Sequence, residues 1–197
     1  MKKIIITFLM IAAIPAAFAV PTIFGPTGGL MVADAFVAEE STISIHQSVN
    51  DSLDFPIVAV TVPYKEFEVA GSVLKYRGDS TDWHISGKAA SPITLFYTDL
   101  AVGVAVGNSH FSGSFMATRE FDEETSASLN LSYIRESGRK GTALSFGAEK
   151  VVANNITAGA ELFFANKLGH KTSGNIYGRA KLGESFGVTL GFTNLSR

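Results

Sequence analysis

Between about residue 100 and the C-terminus, apolar residues alternate with small or polar ones over short stretches that are separated by loops. In one such stretch Ile156, Leu162 and Phe164 alternate with Thr157 and Glu161. A period of two sends alternate side chains to opposite faces of a β-strand. The polar set also carries charges, so both faces need a suitable environment. A sheet closed into a barrel, apolar outside and wet inside, provides one for each face.

Alternation and turn-forming residues together predict eleven strands and a weaker twelfth. The strands are predicted at 42–49, 55–62, 67–77, 82–90, 100–107, 110–118, 126–135, 142–150, 155–165, 174–183 and 185–193. The weaker strand, at 28–36, would lie between 42–49 and 185–193 and allow antiparallel closure. Polar loops alternate with generally tighter links, which is typical of bacterial barrels whose short turns face the periplasm. The predicted fold is all-β, a closed antiparallel transmembrane β-barrel of about 10–12 strands.

The N-terminus has the layout of a secretory signal peptide. Lys2 and Lys3 precede an apolar run, and a small-x-small motif follows at residues 17–19. The run is shorter than the ~20 residues that a membrane-spanning helix needs. We therefore expect cleavage and export to the outer membrane. The predicted organisation is a signal peptide at 1–19, an N-terminal segment at 20–41 that is either a strand or a plug, and the barrel at 42–197.

Composition narrows the function classes. The chain has no cysteine, so it has neither disulfides nor the cysteine that carries a lipoprotein anchor. Its net charge of −2 and its 17% of charged residues offer no basic surface for nucleic acid. Hydrophobic residues make up 46% of the chain, which is high for a soluble domain and typical of strands that face lipid.

The charged residues of the predicted inner face form the candidate site. A hairpin register centred on His170 places Glu161 opposite Arg179 and Gly159 opposite Lys181. An opposite-charge pair across a ladder contributes roughly 0.2–1 kcal/mol. The residues expected to line the lumen are Glu149, Glu161, Tyr177, Arg179, Lys181, His84 and Lys88. Two interpretations remain open: a pore that biases the passage of ions or solutes, and a plugged interior in which the charges neutralise one another.

Enzymatic chemistry has one candidate pair. His110 and Ser112 are two residues apart on one strand and face the same side. Same-face neighbours lie about 6–7 Å apart at a rise of ~3.3 Å per residue, which is too far for direct contact without long side chains. The four histidines have no metal-ligand spacing. The sequence therefore predicts no catalytic residue, no metal site and no cofactor.

Aromatic residues fall near the ends of the predicted strands, where barrels form girdles at the two membrane interfaces. These residues are Trp83, Tyr97, Phe111, Phe121, Tyr133 and Phe192. Most belong to the apolar set, so we expect them on the outside. The glycines on the strands, including Gly159, are expected to serve curvature and packing.

The run from Pro21 to Leu30, which reads PTIFGPTGGL, resembles the N-terminal signature of the YjbH-type outer-membrane barrel family. The segment Thr42–His46 is similar to that family's first strand, and residues 175–194 are similar to its late hairpin. The run VADA at 32–35 stands where relatives have a second proline-threonine element, and the lipoprotein cysteine is absent. The resemblance implies an outer-membrane component, in some members linked to exopolysaccharide export.

The leading hypothesis is a non-enzymatic outer-membrane β-barrel that is structural or forms a narrow pore. One alternative is a barrel enzyme that acts on lipid or peptide, supported by His110 and Ser112. Another is a soluble exported lipocalin-like barrel, which requires the opposite polarity, with the set from Ile156 to Phe164 inside. The expected partners are outer-membrane lipid, the barrel-insertion machinery, and small solutes or exported polysaccharide.

Overall fold

The computed structural model describes residues 5–13, 32–39, 41–48, 57–75, 81–108, 110–166, 172–181 and 186–193. The strands are β1 (Ile5–Ala13), β2 (Thr42–Ser48), β3 (Ile57–Tyr64), β4 (Phe67–Lys75), β5 (Thr81–Ala90), β6 (Asp99–Gly107), β7 (His110–Glu120), β8 (Thr125–Glu136), β9 (Arg139–Ala153), β10 (Ile156–Asn166), β11 (Ser173–Lys181) and β12 (Phe186–Thr193). Within the described part of the chain, no helix is long and apolar enough to cross a membrane.

The strands form one closed barrel in which each strand pairs with its neighbours in sequence and β1 pairs with β12. Every pairing is antiparallel. Each of the eleven strands predicted from alternation overlaps one observed strand, β2 to β12. The predicted fold class, an all-β antiparallel barrel, is confirmed.

The twelfth strand differs from the prediction. β1 lies between β2 and β12 and closes the barrel, within the segment predicted as signal peptide. Cleavage of that peptide stays a prediction. The weak strand predicted at 28–36 is wrong over its described part, because residues 32–36 lie inside the barrel. There the backbone N–H groups of Val32 and Ala35 donate to side chains of the inner wall instead of to a neighbouring strand.

Alternation along the strands separates two faces of opposite polarity. On β10, Glu161 is only 2% exposed while the next residue, Leu162, is 49% exposed. β3 repeats the pattern, with Thr61 buried and its neighbours Val60 and Val62 exposed. Polar and small residues therefore point to the interior of the barrel, and large apolar residues point outward. The aromatic residues predicted on the outside, from Trp83 to Phe192, are all exposed.

Tight turns occur at both ends of the barrel. At one end, which we call the short-turn end, the turns at 65–66 and 154–155 are tight and the links at 91–98 and 121–124 are somewhat longer. Two connections contain consecutive residues with positive φ. Ser137 and Gly138 turn the chain between β8 and β9 at the opposite end, and Phe96 and Tyr97 do so at the short-turn end.

Candidate functional site

The lumen holds a stretch of chain, residues 32–39, which we call the luminal segment. Its backbone N–H groups donate hydrogen bonds to side chains of the surrounding wall. The N–H of Val32 donates to Oε1 of Glu161 at 3.0 Å, and that of Ala38 donates to Oε2 of Glu68 at 3.0 Å. Between them, the N–H of Ala35 donates to Oγ1 of Thr118 at 2.8 Å. The wall thus satisfies the backbone of this segment from three different strands.

A lysine contacts the luminal segment from β5. Lys88 Nζ lies 3.5 Å from Oδ1 of Asp34 and 3.5 Å from Oε1 of Glu68. It also donates to the backbone carbonyl of Asp34 at 3.4 Å. Lys88 and Glu68 are almost completely buried. A buried charge is tolerated only when it is paired, so this cluster links the luminal segment to β4 and β5.

A second cluster lies on β9 to β11. The Tyr177 hydroxyl donates to Oε1 of Glu149, and Nη1 of Arg179 lies 3.5 Å from the same oxygen. Asn175 Nδ2 donates to Oε2 of Glu161 at 2.9 Å. Since Glu161 also accepts from the luminal segment, its two oxygens connect the wall to the chain inside it.

The hairpin register differs from the one predicted. Arg179 faces Thr157, Tyr177 faces Gly159 and Asn175 faces Glu161, so the predicted pairing of Glu161 with Arg179 is wrong by four residues. A shift by an even number keeps every side chain on its face, which is why alternation could not detect it. Packing favours the observed register, because the Tyr177 ring covers Gly159 so closely that a Cβ at 159 would overlap it.

Histidines meet near the end of the barrel opposite the short turns. The rings of His84 and His110 contact edge to face, with centroids 5.2 Å apart, and Nε2 of His84 lies 3.7 Å from Oδ2 of Asp82. His110 Nε2 lies 3.1 Å from Oγ of Ser112. The expectation that His110 and Ser112 do not touch is therefore wrong. The backbone rise separates their Cα atoms, but the imidazole is long enough to lean along the strand and reach the hydroxyl.

A cavity of about 560 Å³ lies between the luminal segment and the short-turn end, and we call it the vestibule. Among the residues that the structure describes, nine carboxylate side chains and one arginine, Arg179, are the charged members of its lining. The carboxylates belong to Asp34, Glu39, Asp99, Glu120, Asp122, Glu123, Glu124, Glu149 and Glu161. Like charges around a cavity with low-dielectric walls concentrate counter-ions in it. The described part of the lining therefore has the charge of a cation-binding rather than an anion-binding cavity.

Two of these carboxyls have shifted pKa values. In the loop between β7 and β8, the backbone N–H of Glu124 donates to Asp122 at 2.9 Å and lowers the pKa of that carboxyl. On the luminal segment, burial raises the pKa of Asp34 to about 6, and the charges of Glu149 and Glu68 act in the same direction while Lys88 opposes them. Asp122 therefore keeps its charge in weak acid, whereas Asp34 loses it.

The seven residues predicted to line the lumen fall into separate groups. The structure places Glu149, Tyr177 and Arg179 in one cluster, Glu161 beside it, Lys88 across the lumen, and His84 near the opposite end. The Lys181 side chain lies outside the described residues. Within the described part of the chain, no group of three or more acidic or histidine side chains is arranged to hold a metal ion.

Sequence reasoning missed four residues of this site. They are Asp34, Glu68, Thr118 and Asn175. Three of them lie on predicted strands at inward positions, so the same alternation that selected Glu161 could have selected them. Asp34 could not be selected in this way, because the weaker strand predicted at 28–36 does not form over residues 32–36.

Known proteins resemble the chain in fold. A solved KdgM porin matches with a TM-score of 0.60 at 10% sequence identity, over 98% of this chain and 99% of that one. A structure described as KdgM porin in complex with disordered oligogalacturonate matches with a TM-score of 0.59 at 9% identity, over 98% and 99% of the two chains. No protein-family profile matches the chain, and no curated protein matches it significantly.

Proposed function

We propose that this protein is a non-enzymatic outer-membrane β-barrel that acts as a narrow channel, with the luminal segment as its constriction. The observation that carries the proposal is the polarity of the wall: buried polar side chains face inward, and exposed apolar side chains face outward. A closed sheet satisfies every backbone hydrogen bond internally, which is what a hydrocarbon environment demands. Shared fold with porins supports the same function.

The outer face supports a membrane location. Valine, leucine, isoleucine and phenylalanine side chains on β3 to β12 are exposed to about half their surface, and exposed apolar area of this extent is rare on soluble proteins. Outer-membrane lipid is therefore the proposed partner of this face. An exported chain of this kind would reach the membrane through the predicted signal peptide at 1–19 and the barrel-insertion machinery.

The constriction favours a narrow pore over a wide one. The luminal segment is held by Glu68, Thr118 and Glu161, on three strands distributed around the wall. Barrels of ~8 strands are filled by side chains, and wide aqueous channels are typical of 16–18 strands. In a twelve-stranded barrel with a segment inside, we therefore expect passage only of ions and small solutes.

The vestibule points to cations as the preferred ions. One of the matching structures is a KdgM porin in complex with oligogalacturonate, an acidic oligosaccharide. Nine carboxylates would repel such a polyanion here. We therefore expect this channel to pass cations and small neutral or cationic solutes. The YjbH resemblance suggests exported polysaccharide as a solute. Its passage would require the polysaccharide to be uncharged.

Single-channel recording of the refolded full chain in planar bilayers tests the proposal. We expect discrete conductance steps and a reversal potential that favours potassium over chloride in a salt gradient. In the A35R variant the new side chain cannot fit where Ala35 packs against Ala101 and Met116, so the luminal segment is displaced and conductance rises. V37R is the matched control, because Val37 is half-buried at the edge of the vestibule.

A disulfide provides the opposite manipulation in this cysteine-free chain. A Cβ at Gly147 would lie 3.4 Å from Cβ of Val32, close to the separation of about 3.5–4.5 Å that a disulfide requires. Oxidised V32C/G147C should conduct no more than the unmodified protein, and the disulfide should cancel the effect of A35R. If no variant, A35R included, gives conductance steps, the protein is a sealed structural barrel and not a channel.

The two alternatives have less support. The lipocalin-like barrel requires the Ile156–Phe164 set inside, whereas Ile156, Leu162 and Phe164 are exposed. The enzyme rests on the contact between His110 and Ser112. Hydrolysis also needs a group that orients the base and donors for the oxyanion, so we assign the pair to the polar wall. If cells that carry the H110A/S112A variant show an envelope defect, the enzyme becomes a candidate again.

A further inference from the structure

The link between β5 and β6 carries an aromatic tip at the short-turn end. Leu95 and Thr98 exchange backbone hydrogen bonds of 2.9 and 3.0 Å, and the two residues between them form the turn. Phe96 and Tyr97 both lie in the left-handed region, with φ of 50° and 60°. Two consecutive residues of this conformation define a tight hairpin turn of the type that favours asparagine and glycine.

This turn is an unfavourable place for two bulky residues. A left-handed backbone brings the Cβ of an L-residue too close to the following carbonyl, and large aromatic residues rarely adopt it. The chain meets the same requirement at the opposite end of the barrel with Ser137 and Gly138, a pair suited to water. Backbone strain of this kind is concentrated at sites where it serves a function.

Packing within the barrel does not offset this backbone strain. The side chains of Phe96 and Tyr97 are 82% and 83% exposed. The base of the link is nevertheless well defined: Ser91 exchanges hydrogen bonds of 3.1 Å with the backbone of Ile93, and Thr94 donates to Asp99 at 2.9 Å. The two rings are thus presented outward on a braced hairpin.

We propose that the Ile93–Tyr97 tip is a membrane anchor that inserts its side chains into the lipid interface at the short-turn end. The inference rests on the proposed membrane location. Three features favour lipid over a protein partner. Four of its five side chains are apolar or aromatic, with Ile93 and Leu95 exposed beside the rings, and the hydroxyl of the fifth, Thr94, donates to Asp99. Tyrosine and other aromatic side chains are enriched at membrane interfaces.

The third feature is continuity with the outer face. The tip joins two strands whose outward residues, Ile85 on β5 and Val102 on β6, belong to the exposed apolar surface. Further exposed aromatics, Tyr64, Phe67 and Phe121, lie at the same end of neighbouring hairpins. The tip therefore extends the apolar surface of the barrel beyond the wall in one sector.

Depth-dependent fluorescence quenching tests the anchor in the refolded full chain. Trp83 is the single tryptophan, so W83F provides a silent background for F96W, and for F115W as a reference on the outer face of β7. Liposomes contain lipids brominated near the headgroup or deep in the acyl chain. We expect bromine near the headgroup to quench the tryptophan of F96W strongly, and deep bromine to quench that of F115W. Insertion into lipid should also shift the emission of F96W to shorter wavelength.

The reference separates the two proposals. If F115W is quenched but F96W emits as a water-exposed tryptophan, the anchor is wrong and the tip is free to bind a protein instead. If neither is quenched, the membrane location itself is wrong.

A turn-optimised variant gives a second readout. F96N/Y97G keeps the hairpin and removes both the strain and the rings. We expect it to unfold in detergent at the same temperature as the unmodified protein or a higher one, yet to insert into liposomes several-fold more slowly. S137N, at the other left-handed turn, should insert at the normal rate. Insertion of F96N/Y97G at the normal rate would contradict the anchor.

Discussion

The inner and outer faces of the barrel wall are built from neighbouring residues but follow opposite rules. On the outer face, Leu162 and Phe115 are large, apolar and exposed, because neighbouring side chains leave about half of their surface uncovered. On the inner face, Glu161 and Lys88 are charged and buried, and each has hydrogen-bonding or charged partners. The outer face thus depends on the solvent around it, whereas the inner face depends on specific pairs within it.

This difference reverses the usual arrangement of a soluble protein, in which apolar side chains fill the interior. Here the apolar core among the described residues is small, and one cluster of it consists of Ala35, Ala101 and Met116 at the luminal segment. Stability of the interior must come mainly from hydrogen bonds and ion pairs. Substitutions should therefore have effects that depend on the face more than on the residue type.

The largest effect is expected from removing the inner lysine. K88M removes a cation that lies 3.5 Å from the carboxylates of both Glu68 and Asp34, and breaking a buried pair in this way costs about 3–5 kcal/mol. Urea denaturation in detergent measures the loss. K150M is the control, because Lys150 is exposed on β9 and surface pairs contribute about 0–1 kcal/mol. Equal stability of the two variants would mean that water inside the lumen solvates Glu68.

The next effect compares adjacent positions of β7. F115R places a charge on the outer face, and charges on the lipid face of a barrel cost about 2–4 kcal/mol near the bilayer midplane. S114R places the same side chain on the inner face, where it loses the 2.8 Å hydrogen bond between Ser114 and Ser132, worth about 1 kcal/mol. Unfolding in liposomes should rank F115R as the less stable variant. The reverse ranking would invert the assigned polarity.

A smaller effect separates two glycines of one hairpin. In G159A the added methyl overlaps the Tyr177 ring, and overpacking of this kind costs about 1–3 kcal/mol. At Gly178 a Cβ would meet nothing within 4 Å, so G178A should be neutral or slightly stabilising, by about 0.4–1 kcal/mol at most. The double variant G159A/Y177A tests the cause, since removal of the ring should remove the penalty of the methyl. A G159A barrel as stable as G178A would show that the ring moves freely.

The smallest effect is expected from pH. Because the pKa of Asp34 is about 6 in the buried state and 3.8 in its ordinary range, the docked luminal segment binds a proton more tightly than a free one does. Docking is therefore strengthened as the pH falls from about 6 toward 3.8, and above about 6, where Asp34 is ionised in both states, it no longer changes with pH. Conductance and cation preference should both decrease on acidification. D34N should lose this step, and a step that persists in D34N would have another origin.

The sequence predicted the wall better than it predicted the contents of the lumen. Alternation is a local property, so β2 to β12 and the faces of Glu161 and Leu162 could be read directly. The register of β10 against β11 could not, because alternation is unchanged by a shift of four residues and the contact of Tyr177 with Gly159 decides it.

The luminal segment was less predictable for a different reason. It is held through its own backbone N–H groups by Glu68, Thr118 and Glu161, and a backbone contact leaves no mark on residue type. The contact between His110 and Ser112 could not be predicted, because spacing along a strand fixes the separation of the Cα atoms but not the direction in which the imidazole extends.

β1 lies in the segment that signal-peptide cleavage would remove, yet the same residues close the barrel. In a meander of alternating direction, β2 and β12 run the same way, and only the intervening β1 makes both seams antiparallel. If a peptidase removed residues 1–19 on the way out, an odd number of strands would remain and the two free edges would point in the same direction. The processed protein would then have to join them side by side as a parallel seam or insert a substitute strand, and the mass of the exported chain would tell which barrel the cell assembles.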